Sequence, residues 1–278
     1  MGATRPEIDG YRRRVRRIRV IITALSALSA AGAVAAATQV TSLAPPDRTE
    51  ICGGTGSATA GRYAVMNNVW GATTAQCLTV DDETGAFEVS SADHGNEANV
   101  AAYPMIYAGC HWGRCTADSG MPVRVDRIRR ATSDWTFGRE GVSGAWDATY
   151  DLWFHTTADV DRSPDGAELM IWLDHTGAAD PGGTVVARDV AIAGATWDVW
   201  YARWAWHHVA YVRTSPTSSV RGLDLHAFIR EAVGRGYVDD RWHLSGVEAG
   251  FELRRGGVGL RSEEFSVTVE SAGAGRGP

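Results

Sequence analysis

The chain has 278 residues, 44% of them hydrophobic, enough for a sizeable core in one large domain or two small ones. It carries 27 basic and 33 acidic residues for a net charge of −6, a balance that argues against a polyanion-binding role and a nucleic-acid partner. Every basic residue is Arg, and 11 Trp stand against 6 Phe, so planar rings able to stack on sugars or fill a core are abundant.

The charge is unevenly placed. Residues 1–37 hold seven Arg and two acids, a net of +5 that leaves −11 for the remainder. Arg12 to Arg19 form a basic n-region, Val20 to Ala37 an uncharged Ala-rich run, and Ala33 to Ala37 offer small-residue cleavage sites. This is the pattern of a secretory signal peptide over 1–37, with 38–51 as linker and mature N-terminus. An uncleaved anchor competes, because an uncharged run of 18 residues is just long enough to span a bilayer. The paired arginines also permit twin-arginine export.

Export changes how the cysteines read. Cys52, Cys77, Cys110 and Cys115 all follow the leader, and an even count in an oxidising compartment suggests two disulfides. Cys110 and Cys115 enclose four residues and form a natural local staple; Cys52 with Cys77 then ties the N-terminal strand to a neighbour. A four-Cys zinc site is the alternative, although the usual C-x₂-C pairing is missing.

From Arg62 onward the chain falls into short strand-like runs broken by Gly, Asp, Asn and Pro: 62–69, 77–80, 86–90, 121–128, 146–154, 166–173, 184–192, 197–201, 207–213, 247–253 and 264–270. Many short strands at close spacing predict an all-β, two-sheet antiparallel sandwich of the jelly-roll kind, in one domain over 52–270. One helix is expected over 223–235, a surface element on the back of a sheet. Leu225, Phe228, Ile229 and Ala232 form its apolar stripe, and Gly236 stops it. Residues 271–278 read as a Gly/Ala tail.

The run 166–173 is the one of greatest interest. Period-2 alternation places Leu169, Ile171 and Leu173 on a core face and Glu168, Met170 and Trp172 together on the other. An unpaired carboxylate is costly among apolar neighbours, so this second face reads as the floor of a cleft. Two further acids lie mid-strand: Asp151 shares a face with Trp153, and Glu252 stands opposite core-like Phe251 and Leu253. For any one such acid, a solvated outer face paired with Arg is the simpler account. Three on Trp-rich strands favour a cleft. Two carboxylates across a sugar-binding cleft can hydrolyse a glycosidic bond. A separation of roughly 5 Å favours a covalent intermediate and retention, and roughly 6.5–9.5 Å favours inversion.

Several segments together resemble family 12 of the glycoside hydrolases, secreted endo-β-1,4-glucanases, and most of all its actinobacterial cellulases. They are 67–71 (Asn-Asn-Val-Trp-Gly), 110–115 (Cys-His-Trp-Gly-Arg-Cys), 121–124, 150–153 (Tyr-Asp-Leu-Trp), 168–173 (Glu-Leu-Met-Ile-Trp-Leu) and 250–252 (Gly-Phe-Glu). The likeness runs from about Cys52 to Glu270. It implies a jelly roll with a concave cleft and no metal or other cofactor. Glu168 would be the nucleophile, Glu252 the acid/base, and Asp151 the acid that hydrogen-bonds the nucleophile, a pair whose titrations would be coupled. Asn68, Trp70, His111, Met170 and Trp172 would bind the substrate, Trp70 by stacking on glucose and Met170 from beside the nucleophile.

The departures concern the cleft walls. After the acid/base the family usually carries Pro-Trp or a close variant, whereas this chain has Leu253-Arg254-Arg255. The family's Asn-Gly loop after the central Trp strand is here 203–208, Arg-Trp-Ala-Trp-His-His. Adjacent His207 and His208 would point to opposite faces of a strand, which suits exposed loop histidines better than co-ligands of one metal. The Gly-rich run 255–259 lacks the Lys and helix start of a phosphate loop. The expectation is a secreted, monomeric, retaining endo-β-1,4-glucanase acting on β-glucan. A hydrolase directed at xyloglucan or xylan and a non-catalytic carbohydrate-binding jelly roll are the alternatives.

Overall fold

A computed structural model describes residues 47–96 and 99–272. The expected signal peptide lies outside the described residues, as does most of the expected tail.

The strands in chain order begin with β1 (Arg48–Ile51), β2 (Ser57–Ala60), β3 (Tyr63–Met66), β4 (Gln76–Asp81), β5 (Phe87–Ala92) and β6 (Met105–His111). There follow β7 (Arg114–Cys115), β8 (Val123–Arg124), β9 (Ile128–Gly138), β10 (Gly144–His155), β11 (Ala167–Thr176) and β12 (Thr184–Ile192). The last are β13 (Ala195–Arg203), β14 (His207–Arg213), β15 (Ser219–Asp224), β16 (His243–Gly256) and β17 (Arg261–Ser271), with the helix α1 (Leu225–Gly234) between β15 and β16.

They form the expected two-sheet sandwich. The smaller sheet runs β1-β4-β5-β17-β9-β15, and the larger β12-β13-β14-β11-β10-β16-β6-β3-β2, with β7 beside β6 and β8 beside β16. One ladder departs from the antiparallel expectation: β11 and β14 are parallel, since the β12–β13 hairpin carries the chain out to the sheet edge and back.

Alternation decides which residues meet between the sheets. From the larger sheet, Tyr150, Leu152, Leu169, Ile171, Leu173, Tyr211, Val247, Phe251 and Leu253 point into the common core. The smaller sheet answers with Leu78, Val89, Trp135 and Phe137. Trp135 packs against Phe137, Tyr150 and Phe251 and donates from Nε1 to Ser262 Oγ at 3.1 Å. The helix sits where expected. Asp224 caps it by accepting from the Ala227 N–H, and its four stripe residues are all buried, Phe228 edge-on to Trp197 and Tyr211.

The predicted strand over 121–128 is corrected: Val123–Arg124 pairs as β8, Val125–Arg127 forms a 3-10 turn, and Ile128 already begins β9. Unanticipated β6 and β9 supply the missing ladders. In β9 the buried positions Ala131, Ser133, Trp135 and Phe137 alternate with more exposed neighbours, so the period-2 signal was present but diluted by Ser and Arg.

Both cysteine pairs are disulfides, Cys52–Cys77 and Cys110–Cys115, which removes the zinc alternative. No helix among the described residues is long and apolar enough to cross a membrane.

Candidate active site

The face of the larger sheet turned away from the core collects the polar residues. Register sets them in rows across the strands. One row runs Tyr107 on β6, Glu248 on β16, Asp151 on β10, Met170 on β11 and Ala210 on β14. The next runs Gly109, Gly246, Trp153, Glu168 and His208. Further along, Asp147 faces Glu252. Glu168, Glu252 and Asp151 therefore share one face, as the alternation predicts. Gly250, between Glu248 and Glu252, has no room for a side chain, since a Cβ there would lie 2.2 Å from the Pro104 carbonyl oxygen.

Glu168 is held by the loop that departs from the resemblance. Its Oε2 accepts from Trp206 Nε1 at 2.9 Å and from His208 Nδ1 at 2.7 Å. His208 is a correction to the exposed-histidine reading: it is 2% exposed, roofed by Trp204 at 4.2 Å between ring centroids, and its Nε2 donates to the Pro181 carbonyl at 2.6 Å. A carbonyl only accepts and a carboxylate only accepts, so both ring nitrogens carry protons. Burial lowers the pKa of His208, but the hydrogen bond and charge of Glu168 and the Pro181 carbonyl outweigh it and raise the net value. An imidazolium thus sits against the Glu168 carboxylate.

Glu252 lives under the opposite regime. Burial pushes its pKa up, the Arg254 guanidinium 3.5 Å away pulls it down, and the charge of Glu168 pushes it up again, for a net rise. A carboxyl shifted toward its protonated form thus shares the face with one held by an indole N–H and an imidazole ring.

Asp151 lies on β10 beside β11 but does not hydrogen-bond Glu168. Its register partners are Met170 and Glu248, and its Oδ1 is buried without a partner. Burial, followed by the charges of Glu168, Glu248 and Glu252, raises its pKa strongly. Glu248 was missed by the sequence reading. It lies four residues before Glu252 on the same face and accepts from His111 Nδ1 at 2.8 Å. Its side chain is 0% exposed against 14% for Glu252, so only the latter can touch a substrate.

Of the other expected contacts, Trp70 is 63% exposed and offers a free ring face, on a turn where Asn68 adopts a φ of 45°. Asn67, its neighbour, is buried and braces this turn by donating to the Gln76 and Gly53 carbonyls. His111 is buried against Glu248. Met170 and Trp172 pack with Ala210 beneath the cleft, and Trp172 is 1% exposed, so it supports the floor instead of presenting a stacking face. Trp112, inside the Cys110–Cys115 loop, meets Trp153 and Trp206 edge-on and walls the cleft beside Glu168.

A polar sheet face that brings together Glu168, held by two ring N–H groups, and Glu252, shifted toward its protonated form, under a rim of indoles fits a polysaccharide-cleaving enzyme. Residues 61–270 match Glycosyl hydrolase family 12, and the chain belongs to that family, the one suggested by its motifs. Endoglucanase cel12A from Rhodothermus marinus is 52% identical with a TM-score of 0.79, over 81% of this chain and all of that one. Endoglucanase S from Pectobacterium parmentieri is 30% identical over 75% of this chain and 82% of its own length. Xyloglucan-specific endo-beta-1,4-glucanase A from Aspergillus niger is also 30% identical, over 80% and 92%. The protein is a glycoside hydrolase of the endo-β-1,4-glucanase class, and its substrate is a polysaccharide.

Proposed function

We propose that the protein is an exported, monomeric hydrolase that cuts β-1,4-linked glucan internally by double displacement, with Glu168 as nucleophile and Glu252 as acid/base. The observation that carries this reading is the contrast between the two carboxyls: Glu168 is fixed by an indole N–H and an imidazolium, while Glu252 is shifted toward its protonated form.

Both donors to Glu168 are on Oε2, which leaves Oε1 to attack the anomeric carbon. As that C–O bond forms, the glycosidic C–O bond breaks and the Glu252 proton passes to the departing oxygen. In the second half, Glu252 takes a proton from water, the resulting hydroxyl attacks the same carbon, and Glu168 departs. The anomeric configuration is inverted twice and so retained. Trp70 supplies the exposed ring on which a glucosyl unit stacks. Export is supported by the basic leader and by the two disulfides, which suit an oxidising compartment.

The test is reducing-sugar release from carboxymethylcellulose and barley β-glucan, with xyloglucan and xylan alongside, for the wild type, Glu168→Gln and Glu252→Gln. Cleavage by the wild type and near-complete loss in both variants is expected. A wild type that binds these polymers without cutting any of them would overturn the reading.

A further inference from the structure

Two residues beyond Glu252, on the same face of β16, lies a buried cation. Arg254 is 2% exposed. Its Nη1 donates to Asp147 Oδ2 at 3.0 Å, its Nη2 donates to the Asp180 carbonyl at 2.9 Å, and the same Nη2 lies 3.5 Å from Glu252 Oε2. Its guanidinium carbon is 5.8 Å from the centroid of the Trp172 ring. Asp147 is 0% exposed and stands opposite Glu252 in the β10–β16 register. A cation this deep is tolerated only when its partners are well placed, and this one occupies a position where the family resemblance leads one to expect an aromatic ring.

We propose that Asp147 and Arg254 form a clasp that positions the carboxyl of Glu252 and sets the pH range over which it can give up its proton. The proposal rests on the assignment of Glu252 as acid/base. Neither clasp residue touches the sugar; both act through Glu252.

The reaction needs Glu252 protonated in one half and ionised in the other. Arg254, close to Oε2, favours the ionised form of Glu252, and the side-chain contact of Asp147 works in the same direction. The groups that bear on Glu252 are Asp147 and Asp151 from β10, Glu168 from β11, His208 from β14, Tyr103 ahead of β6, and Arg254 from its own strand. Of these, Arg254 is the one permanent cation, and Asp147 fixes its place beside the proton donor. Burial and Glu252 push the pKa of Asp147 upward against the pull of Arg254, so Asp147 is shifted toward its neutral form.

The experiment compares pH–rate profiles on barley β-glucan for the wild type, Asp147→Asn, Arg254→Met and Arg254→Lys. Arg254→Met moves the alkaline limb to higher pH by about one unit, and Asp147→Asn, which loosens the hold on the guanidinium, moves it the same way by less. Arg254→Lys keeps the charge and stays near the wild-type profile. If Arg254→Met fails to fold, the double variant Asp147→Asn/Arg254→Met replaces it, with its limb above that of Asp147→Asn alone. Loss of kcat or thermal stability with unmoved limbs would reduce the clasp to scaffolding and overturn the proposal. Azide rescue of Glu252→Ala on 2,4-dinitrophenyl β-cellobioside separates the two failures. No rescue removes the acid/base assignment itself, whereas rescue with unmoved limbs removes only the clasp.

Discussion

His208 donates from Nδ1 to Glu168 Oε2 at 2.7 Å while its other nitrogen is committed to the Pro181 carbonyl, so the Glu168 carboxyl is braced by a ring that cannot rotate away. Trp206 reaches the same oxygen, and together they leave Oε1 clear of both donors. His208→Gln removes the charge and the rigid brace. A charge-assisted hydrogen bond contributes about 1.5–3 kcal/mol, so kcat should fall roughly ten- to hundredfold with KM little changed. A kcat within twofold of wild type would show that the brace is dispensable.

The same pair predicts how stability follows pH. Burial lowers the pKa of His208, but Glu168 and Pro181 raise it further, so its folded value exceeds the unfolded one of about 6.5. A group whose pKa rises on folding binds more protons when folded. Its stabilisation is complete below the unfolded pKa and is lost as pH rises through the folded one. Melting temperatures scanned upward from pH 6 should decline more steeply in wild type than in His208→Gln. Parallel curves would contradict a charged His208.

Much of this site was legible in the chain, and what was not has a physical reason. The alternation in 166–173 placed Glu168, Met170 and Trp172 on one face because both faces of β11 are buried and only one can hold a charge. Asp147 and Glu248 carried the same signal, each four residues before a recognised acid and therefore on the same face, and that parity could have flagged them. His208 could not have been found this way. Its meeting with Glu168 depends on the parallel β11–β14 ladder, formed after a hairpin excursion that leaves no local periodicity. Arg254 was seen as a departure, but its burial against Asp147 and Asp180 is a property of three separated segments.

The Cys110–Cys115 disulfide holds Trp112 against Trp153 and Trp206. Replacing both cysteines by Ala frees a short loop, with an expected stability loss of about 2 kcal/mol. The wall beside Glu168 would loosen, so KM on β-glucan should rise more than kcat falls. An unchanged KM would place Trp112 outside the substrate path.

Trp70 allows the contact surface to be tested apart from the fold. Its ring is 63% exposed, so Trp70→Ala should change stability by no more than about 0.5 kcal/mol in denaturant unfolding. KM should rise several-fold with kcat nearly intact, the pattern of an interaction made equally in the ground and transition states. A fall in kcat alone would instead mean that Trp70 acts on the reacting sugar.

Trp135 is the reverse case, a ring far from chemistry on which the joint between the sheets depends. It is fully buried among Phe137, Tyr150 and Phe251, and its Nε1 donates to Ser262. Trp135→Ala removes the ring and leaves both a cavity and an unpartnered hydroxyl, at an expected cost of about 3–5 kcal/mol. That corresponds to a melting temperature lower by roughly 10 °C or more. Trp135→Phe keeps most of the packing and should cost distinctly less. Both variants should retain wild-type kcat and KM at temperatures where they are folded, because Tyr150 and Phe251 point to the core from the strands whose other face carries Asp151 and Glu252. If Trp135→Ala lowered kcat in the fully folded protein, the two faces of β10 and β16 would be mechanically coupled, and the core could no longer be treated as a passive support for the cleft.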